Sequence, residues 1–381
     1  MKKPFFSPNE FMQPVEEKAF LVGVDFPSEP IPLEISLGEL GELARTAGAM
    51  IVGSLVQKRA KVDPKYFIGT GKLEELTTAV AGSGANLVIF DHELSPSQEN
   101  HLAEALGVKV IDRTALILDI FAQHAKSREG KLQVELAQAT FGLTHLVGQG
   151  ETMSRLGGGI GTRGPGESKL EYDRREIRSK IAELKKRIVK LRAERQRNRE
   201  KRRGSQLPTV ALVGYTNSGK STLLNALTRS DVLTEDKLFA TLDPTTRRLY
   251  LPSARTVLLT DTVGFIQKLP HSLVTAFQAT LEEVTEADLL IHVVDSSSPY
   301  FEKQISAVYQ VLRELKSHDK PILTVFNKED KLATPISEDL KNKFEPSVQA
   351  SASRKTGLEQ LIAKLDALLP KLPPSIPASE S

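Results

Sequence analysis

Residues 214–222 read GYTNSGKST. The pattern is G-x-x-x-x-G-K-S, set between the apolar run TVALVG (209–214) and the amphipathic run STLLNALTR (221–229). A loop of this spelling between a buried strand and a helix allows few folds. Its glycines must bend the chain so that successive backbone N–H groups and the helix N-terminus face one anion. We read Gly214, Tyr215, Thr216, Asn217, Ser218, Gly219, Lys220, Ser221 and Thr222 as a phosphate-binding stretch. Lys220 supplies charge to the β- and γ-phosphates, and Ser221 offers a hydroxyl to Mg²⁺.

Three further segments follow in an informative order. FATLDPTTR (239–247) contains a candidate first switch, Phe239, Ala240, Thr241, Leu242 and Asp243. The Thr241 hydroxyl would close on Mg²⁺ and its N–H on the γ-phosphate. DTVG, which is Asp261, Thr262, Val263 and Gly264, follows the strand-like TVLLT and reads as a second switch. Asp261 would hold a magnesium-bound water, and the Gly264 N–H would meet the γ-phosphate. Loss of that phosphate would release both segments. NKED, which is Asn327, Lys328, Glu329 and Asp330, follows PILTVF. The Asp330 carboxylate can accept from the N1–H and N2–H₂ edge of guanine, where adenine has no donors. A site that demands a hydrogen bond rejects the wrong partner by roughly 10⁴-fold. Asn327 would face N7, the Lys328 stem would cover the ring, and the amides of Ser351, Ala352 and Ser353 would aim at O6.

After D-x-x-G, many proteins of this kind carry a water-orienting glutamine. Here the residue is Phe265, and Gln267 is out of register. Slow intrinsic hydrolysis, accelerated by a partner, is the expectation.

Upstream the pattern changes. Phe20–Val24, Met50–Leu55, Asn86–Phe90 and Val108–Ile111 read as strands. They alternate with helical runs at Leu37–Ala47, Leu73–Ala81, Ser97–Ala105 and Thr114–Ala125, an α/β pattern with a partly parallel sheet. Within it, Gly69-Thr70-Gly71-Lys72 lacks phosphate-loop spacing and reads as a strand–helix turn, with a nucleotide contact as the second reading.

Between the two α/β segments, apolar residues recur at steps of three and four. The series are Leu132, Leu136, Ala139, Leu143, Leu146 and Ile177, Ile181, Leu184, Ile188, Leu191. Each is the seam of a helix that packs along a partner. The second helix, near 170–203, would be about 50 Å long. The connection, from about 149 to 168, holds the glycine run GGGIGTRGPG and a literal G-x-G-x-x-G. A dinucleotide fingerprint needs a strand before it and a sheet-packed helix after it. Here GQGETMSRL precedes, and a helix rich in arginine and lysine follows. The length of the connection exceeds a plain helix–helix link. We read it as a fingertip that binds something phosphate-rich. Arg187, Lys190, Arg192, Arg195, Arg197, Arg199 and Lys201–Arg203 crowd the far end of the stem against only Glu194 and Glu200. Such a stripe suits RNA or another polyanion, with strong salt dependence. No aromatics interleave it, so base stacking is not indicated there. Candidate RNA contacts are Arg155, Arg163, Arg195, Arg197 and Arg199.

The chain has 381 residues, 40% hydrophobic and 26% charged, with a net charge of +3, an ordinary globular balance. It lacks cysteine, which excludes thiol nucleophiles, disulfides and iron–sulfur clusters. Its start is a poor signal peptide, and its most apolar stretch, Leu289–Val294, is too short for a membrane span. A cytoplasmic monomer is expected.

Four segments carry a wider resemblance: YFIGTGKLEEL, IDRTALILDIFAQHAKSREGKLQVELAQ, SRLGGGIGTRGPGESKLEYDRREIR and DTVGFIQKLPHSLVTAFQATLEE. Together they resemble the HflX family of ribosome-associated GTPases, over residues of about 20 to 370. The resemblance implies an N-terminal α/β domain (1–127), a long antiparallel helical hairpin with a glycine-rich tip (128–205) and a C-terminal P-loop GTPase domain with a mostly parallel sheet (206–370). A disordered tail (371–381) would follow. It implies GTP and GDP as ligands and Mg²⁺ as cofactor. It also implies binding to the large ribosomal subunit and its rRNA, with the hairpin tip near the peptidyl-transferase centre. The activity implied is splitting of stalled or idle ribosomes in the GTP state. ATP is a further implied ligand, in the domain that holds Gly69–Lys72. Roles that rest on the extra C-terminal domain of some members are not expected. Two other readings fit part of the pattern: an RNA remodeller using ATP at the N-terminal domain, and a GTP switch for a protein partner. Guanine dependence and salt-sensitive RNA binding separate them.

Overall fold

The computed structural model describes residues 16–27, 29, 31–156, 165–203, 207–228, 237–268, 281–332, 334 and 336–369. Arg163 and the glycine run at 157–164 lie outside the described residues, as does the expected tail. The chain divides into two compact units. One comprises residues 1–119 with 147–160, the other 120–146 with 161–381.

The first unit holds a four-stranded parallel sheet of order β2-β1-β3-β4. Its strands are β1 (Lys18–Asp25), β2 (Met50–Lys58), β3 (Leu87–Phe90) and β4 (Lys109–Asp112). The helices α1 (Leu33–Thr46), α2 (Thr70–Ser83) and α3 (Pro96–Leu106) connect them. All four strands and all three helices were legible from apolar periodicity. Ser95 and Gln98 cap α3 reciprocally, satisfying backbone donors at its start. Gly69 is the N-cap of α2, its N–H donating to Gln57 Oε1 at 3.0 Å, so Gly69–Lys72 forms the turn that opens a helix. Val22, Phe90, Leu76 and Leu102 are buried together in the core of this unit. At the carboxyl end of β3, buried Asp91 accepts from Ser36 Oγ at 2.6 Å and from Arg113 Nη1 at 2.7 Å. Arg113 also pairs with Glu39, which keeps a buried guanidinium matched on two sides.

Helix α4 (Arg113–His124) is followed by α5 (Arg128–Leu156) and α6 (Pro165–Arg203). Helix α5 continues to Leu156, so the expected connection from 149 is helical over its first part. Its residues Glu151–Leu156 are ordinary helix formers, with neither glycine nor proline to stop them. Within the second unit the two long helices run antiparallel. Glu135 pairs with Lys180 at 2.8 Å, and Arg174 Nη2 donates to the Leu146 carbonyl at 3.2 Å. On α6 the expected seam holds: Leu184 and Ile188 are buried, while Lys185, Lys186, Arg187 and Lys190 are exposed. On α5 it does not hold in detail. Leu132, Leu136, Ala139 and Leu143 are only partly covered, and Gln133, Val134 and Ala137 are the buried residues. The covered arc of α5 is thus turned from the leucine stripe toward Gln133, Val134 and Ala137.

The rest of the second unit is built on a six-stranded sheet of order β10-β9-β8-β5-β7-β6. Its strands are β5 (Thr209–Gly214), β6 (Thr245–Tyr250), β7 (Thr256–Asp261), β8 (Leu289–Asp295), β9 (Ile322–Asn327) and β10 (Ser347–Gln349). All pairings are parallel except β6 with β7. Helices α7 (Lys220–Thr228), α8 (Glu282–Glu286), α9 (Phe301–Glu314), α10 (Glu338–Lys343) and α11 (Leu358–Leu368) complete the unit. Central strands buried on both faces read as continuous apolar runs, as in LLIHVV. Strand order reverses at β5, so a crevice opens outside the carboxyl ends of β5 and its neighbours. No helix among the described residues is long and apolar enough to cross a membrane.

One core residue breaks the apolar run. His292 on β8 is 1% exposed, edge-on to the Tyr309 ring at 5.6 Å, and its Nδ1 has no hydrogen-bond partner. Burial, assisted by the Lys220 charge, pushes its pKa down from 6.5 to about 3. Between those values the unfolded chain takes up a proton that the folded chain refuses. The contribution to stability is therefore full above pH 6.5 and is lost as pH falls toward 3. Its slope is about 1.4 kcal/mol per pH unit. The thermal midpoint should drop between pH 6.5 and 5 in the wild type and less in His292→Leu. Parallel pH profiles for the two proteins would exclude His292 as the group responsible.

Candidate functional site

Four parallel strands deliver chemistry at their carboxyl ends: Gly214 from β5, Asp261 from β7, Asp295 from β8 and Asn327 from β9. The loop after β5 bends at Asn217, with φ of 59°, and at Gly219, with φ of 92°. A Cβ on Gly219 would lie 2.4 Å from Asn327 Nδ2, so a glycine is required there on two counts. Lys220, the first residue of α7, folds its ammonium back to the carbonyls of Gly214 at 3.2 Å and Tyr215 at 2.9 Å. Burial lowers its pKa to about 8, with Asp261 opposing that shift and Lys328 adding to it. A poorly solvated ammonium of this kind gains strongly from a phosphate.

Thr216, Ser221, Lys237, Phe239, Thr241 and Gly264 are among the residues that line one cleft over this loop. Ser221 Oγ lies 2.9 Å from Thr241 Oγ1 and donates to Asp261 Oδ2 at 2.6 Å. The second oxygen, Asp261 Oδ1, is buried and has no partner. Burial raises the Asp261 pKa, against the lowering effects of Lys220, Ser221 and Thr241. Two hydroxyls and an under-satisfied carboxylate are hard oxygen donors of the kind Mg²⁺ takes alongside phosphate and water. The residues fit that ion. Among the described residues no group of three or more His, Cys, Asp or Glu side chains offers an alternative metal site.

The segment read from the sequence as a first switch is anchored by Phe239. Its N–H donates to Thr216 Oγ1 at 2.9 Å, and its ring is buried edge-on to Phe121 at 4.7 Å. Its φ is 56°, a left-handed value costly for a bulky residue and tolerated because those contacts hold it. Phe265, next after the segment read as the second switch, forms an isolated parallel bridge with Tyr215 of the loop. Thr216 N donates to the Phe265 carbonyl at 2.7 Å, and Phe265 N to the Gly214 carbonyl at 3.1 Å. Gln267 N donates to the Tyr215 hydroxyl at 2.9 Å. The Phe265 side chain is 1% exposed, so it meets no solvent water.

NKED and SAS converge on the same loop from the other side. Asn327 bridges them, donating from Nδ2 to the Ser218 carbonyl at 2.9 Å and accepting the Ala352 N–H at Oδ1, 3.0 Å. Ser351 N donates to the Thr356 carbonyl. The amides of Ser351 and Ala352 are thus engaged inside the protein. Asp330 is exposed, and its carboxyl is held below the usual range chiefly by the Ser351 hydroxyl. Lys328, with φ of 65°, donates to Asn217 O at 2.8 Å and Asp295 Oδ2 at 2.7 Å.

Two participants escaped the sequence reading. Asp295 fixes the Lys328 stem. Its signal was an acid directly after the apolar run LLIHVV and before three serines, the place where neighbouring strands also end on functional residues. Lys237 lines the cleft from four residues before Thr241 and belongs to no motif. Of the arm residues, Arg197 is exposed on α6 with Nε donating to the Ala193 carbonyl at 3.2 Å. Arg155 lies on α5, and Arg195 and Arg199 on α6.

Comparisons with known proteins agree with this architecture. Family models described as "GTP-binding GTPase N-terminal", "GTP-binding GTPase Middle Region" and "50S ribosome-binding GTPase" match residues 34–122, 124–202 and 209–328. The GTPase HflX of Caldanaerobacter subterraneus subsp. tengcongensis is 52% identical over 351 residues, 92% of this chain and 80% of that one. The chain belongs to the HflX family of GTPases. The Escherichia coli (strain K12) GTPase HflX is 45% identical over 356 residues, 93% of this chain and 81% of its own. The crystal structure of the SsGBP and GDP complex is 26% identical, with a TM-score of 0.50, covering 93% of this chain and 98% of that one. This HflX-family chain is therefore an α/β protein with a P-loop GTPase domain, and it hydrolyses GTP to GDP and phosphate.

The contact between the loop and the segment at 261–265 depends on Gly264. A Cβ there would stand 2.6 Å from Thr216 Cα and 3.1 Å from Lys220 Nζ. Gly264→Ala should part the two segments while leaving diphosphate binding in place. Hydrogen exchange at the Phe265 and Thr216 amides should then accelerate at least tenfold. Unchanged exchange would mean that the loop absorbs the methyl group elsewhere.

Proposed function

We propose that this chain is a GTP-gated factor of the large ribosomal subunit that dissociates or rescues stalled or idle ribosomes. Its working form in this reading is a cytoplasmic monomer with three parts and a tail, at 1–127, 128–205, 206–370 and 371–381. The observation that carries the gating is the meeting of Ser221, Thr241 and Asp261 within hydrogen-bond reach. Thr241 placed beside Ser221 and Asp261 can close on a triphosphate and its cation. The ribosome enters through family membership, the family description of residues 209–328 and the exposed cationic face of α6.

In this reading the backbone of Gly214–Thr222 cradles the β-phosphate, and Lys220 reaches the β- and γ-phosphates. Ser221 and Thr241 would hold Mg²⁺, with Asp261 behind a bound water. When bound, the ion neutralises charge that develops on the phosphate oxygens. The Gly264 N–H meets the γ-phosphate. Asp330 reads the guanine edge, Asn327 and the Ser351–Ser353 loop support it, and Lys328 covers the ring. Water attacks the γ-phosphorus, and the β–γ bridging bond breaks to leave GDP and phosphate. Phe265 cannot orient that water, and its backbone is engaged by the loop. Hydrolysis is therefore slow until ribosomal contact reorders the switches. The arm, with Arg155, Arg163, Arg195, Arg197 and Arg199, meets rRNA and presents the glycine-rich tip.

The test is the GTPase rate with and without purified large subunits. Stimulation of at least tenfold is expected, and none would overturn the choice of partner. Asp330→Asn should weaken GTP and favour xanthosine triphosphate by at least a hundredfold in ratio. Deleting residues 157–166 should leave GTP affinity intact and abolish ribosome splitting, followed by light scattering. Normal splitting would remove the tip from the mechanism.

A further inference from the structure

We infer that Asp243 is a positioning residue that ties closure of Thr241 on the triphosphate to the root of the helical arm. The inference rests on the reading of Thr241 as the switch threonine. It extends that reading to the element that carries the switch state away from the nucleotide.

The Asp243 carboxylate accepts three hydrogen bonds from the chain just before α5. They come from Lys126 N at 2.8 Å, Ser127 N at 2.7 Å and Ser127 Oγ at 2.5 Å. Ser127 in turn caps α5: its Oγ accepts Gly130 N–H at 2.8 Å, and its carbonyl accepts Lys131 N–H at 3.0 Å. A carboxylate at this place also complements the positive end of the helix. Two residues before Thr241, Phe239 packs edge-on against Phe121 at 4.7 Å. Thr241 is thus bracketed by Phe239, which packs on α4, and by Asp243, which grips the turn from α4 into α5.

The chain between the two grips is stiff. Pro244 follows Asp243, fixes its own φ and restricts Asp243 to extended backbone. Strand β6 begins at Thr245 and is paired along β7. Movement of the α5 root must therefore pass back through Leu242 to Thr241, whose hydroxyl sits 2.9 Å from Ser221 Oγ. The coupling is reciprocal by thermodynamic necessity. A triphosphate that draws Thr241 inward favours the Asp243 contacts. Any partner that pulls the arm root away weakens the hold on the triphosphate by the same factor.

Gly130 supplies a probe on the arm itself. A Cβ there would stand 2.4 Å from Asp243 Oδ1, so Gly130→Ala displaces the carboxylate while adding a better helix former. The experiment measures the affinity of the full chain, with Mg²⁺, for fluorescent GDP and a fluorescent non-hydrolysable GTP analogue. Thr241→Ala is measured alongside. Gly130→Ala and Asp243→Ala should each lower the triphosphate-to-diphosphate preference about tenfold, or ~1.4 kcal/mol. Ser127→Thr, which keeps the hydroxyl, should retain most of it. In the wild type the amides of residues 126–130 should exchange more slowly with the analogue than with GDP, and in Asp243→Ala they should not. If Thr241→Ala changes the preference while Gly130→Ala and Asp243→Ala leave it unchanged, the positioning role is overturned and the switch reading survives. Equal weakening of both nucleotides by Gly130→Ala would also overturn it, as a purely structural effect. No ribosomal particle is present in these measurements, so their failure is separate from failure of the ribosome as partner.

Discussion

Asp261 is a carboxylate buried at the end of a central strand, with one oxygen accepting from Ser221 and the other without a hydrogen-bond partner among the described residues. Leaving such a group unpaired in a low-dielectric interior costs more than most single contacts return. The surroundings compensate in part. Lys220 stands near enough to oppose the shift in its pKa, and two hydroxyls lean on it. Ser221 and Thr241 stand beside that carboxylate, and in the proposed function the cation of a bound nucleotide would complete its surroundings.

The same logic accounts for the position of the other parts. Parallel strands end together, so residues far apart in sequence arrive at one edge. Asn327 uses this arrangement most fully, because its single carboxamide links the phosphate loop to the segment at 351–353. Lys328 and Asp295 repeat the pattern one residue further on. In the proposed function, base recognition and phosphate recognition are therefore not separate modules. A shift in one loop is felt by the other through side chains that have no freedom to rotate away.

Much of this was legible in the sequence. The central strands announce themselves as continuous apolar runs, and the phosphate loop is defined by context as much as by spelling. The glycine-rich stretch near 160 spells a different phosphate-binding pattern, G-x-G-x-x-G, and lacks the strand before it and the sheet-packed helix after it, which sets it apart without any structure. What escaped had physical reasons. Strand β6 is an edge strand reading TTRRLY, with mostly exposed residues, and β10 has only three residues, too few to show a period. The buried face of α5 depends on a small residue, Ala137, and a fully buried glutamine, Gln133, which hydrophobic patterning does not rank. The Asp295 contact with Lys328 spans 33 residues of sequence, and the Asp243 contact with Lys126 spans 117. Neither pairing can be read from the residues beside it until the chain has folded.

Phe265 has a consequence for how such a molecule keeps time. Its ring is sealed in the interior and its backbone is bonded on both sides to the phosphate loop. The Phe265 backbone therefore lends rigidity to the phosphate loop, and its ring offers no group that could hydrogen-bond a water. In the proposed function the time spent loaded with triphosphate is then set by the partner that loosens this contact, so a waiting pool would stay loaded at little metabolic expense until it is called on.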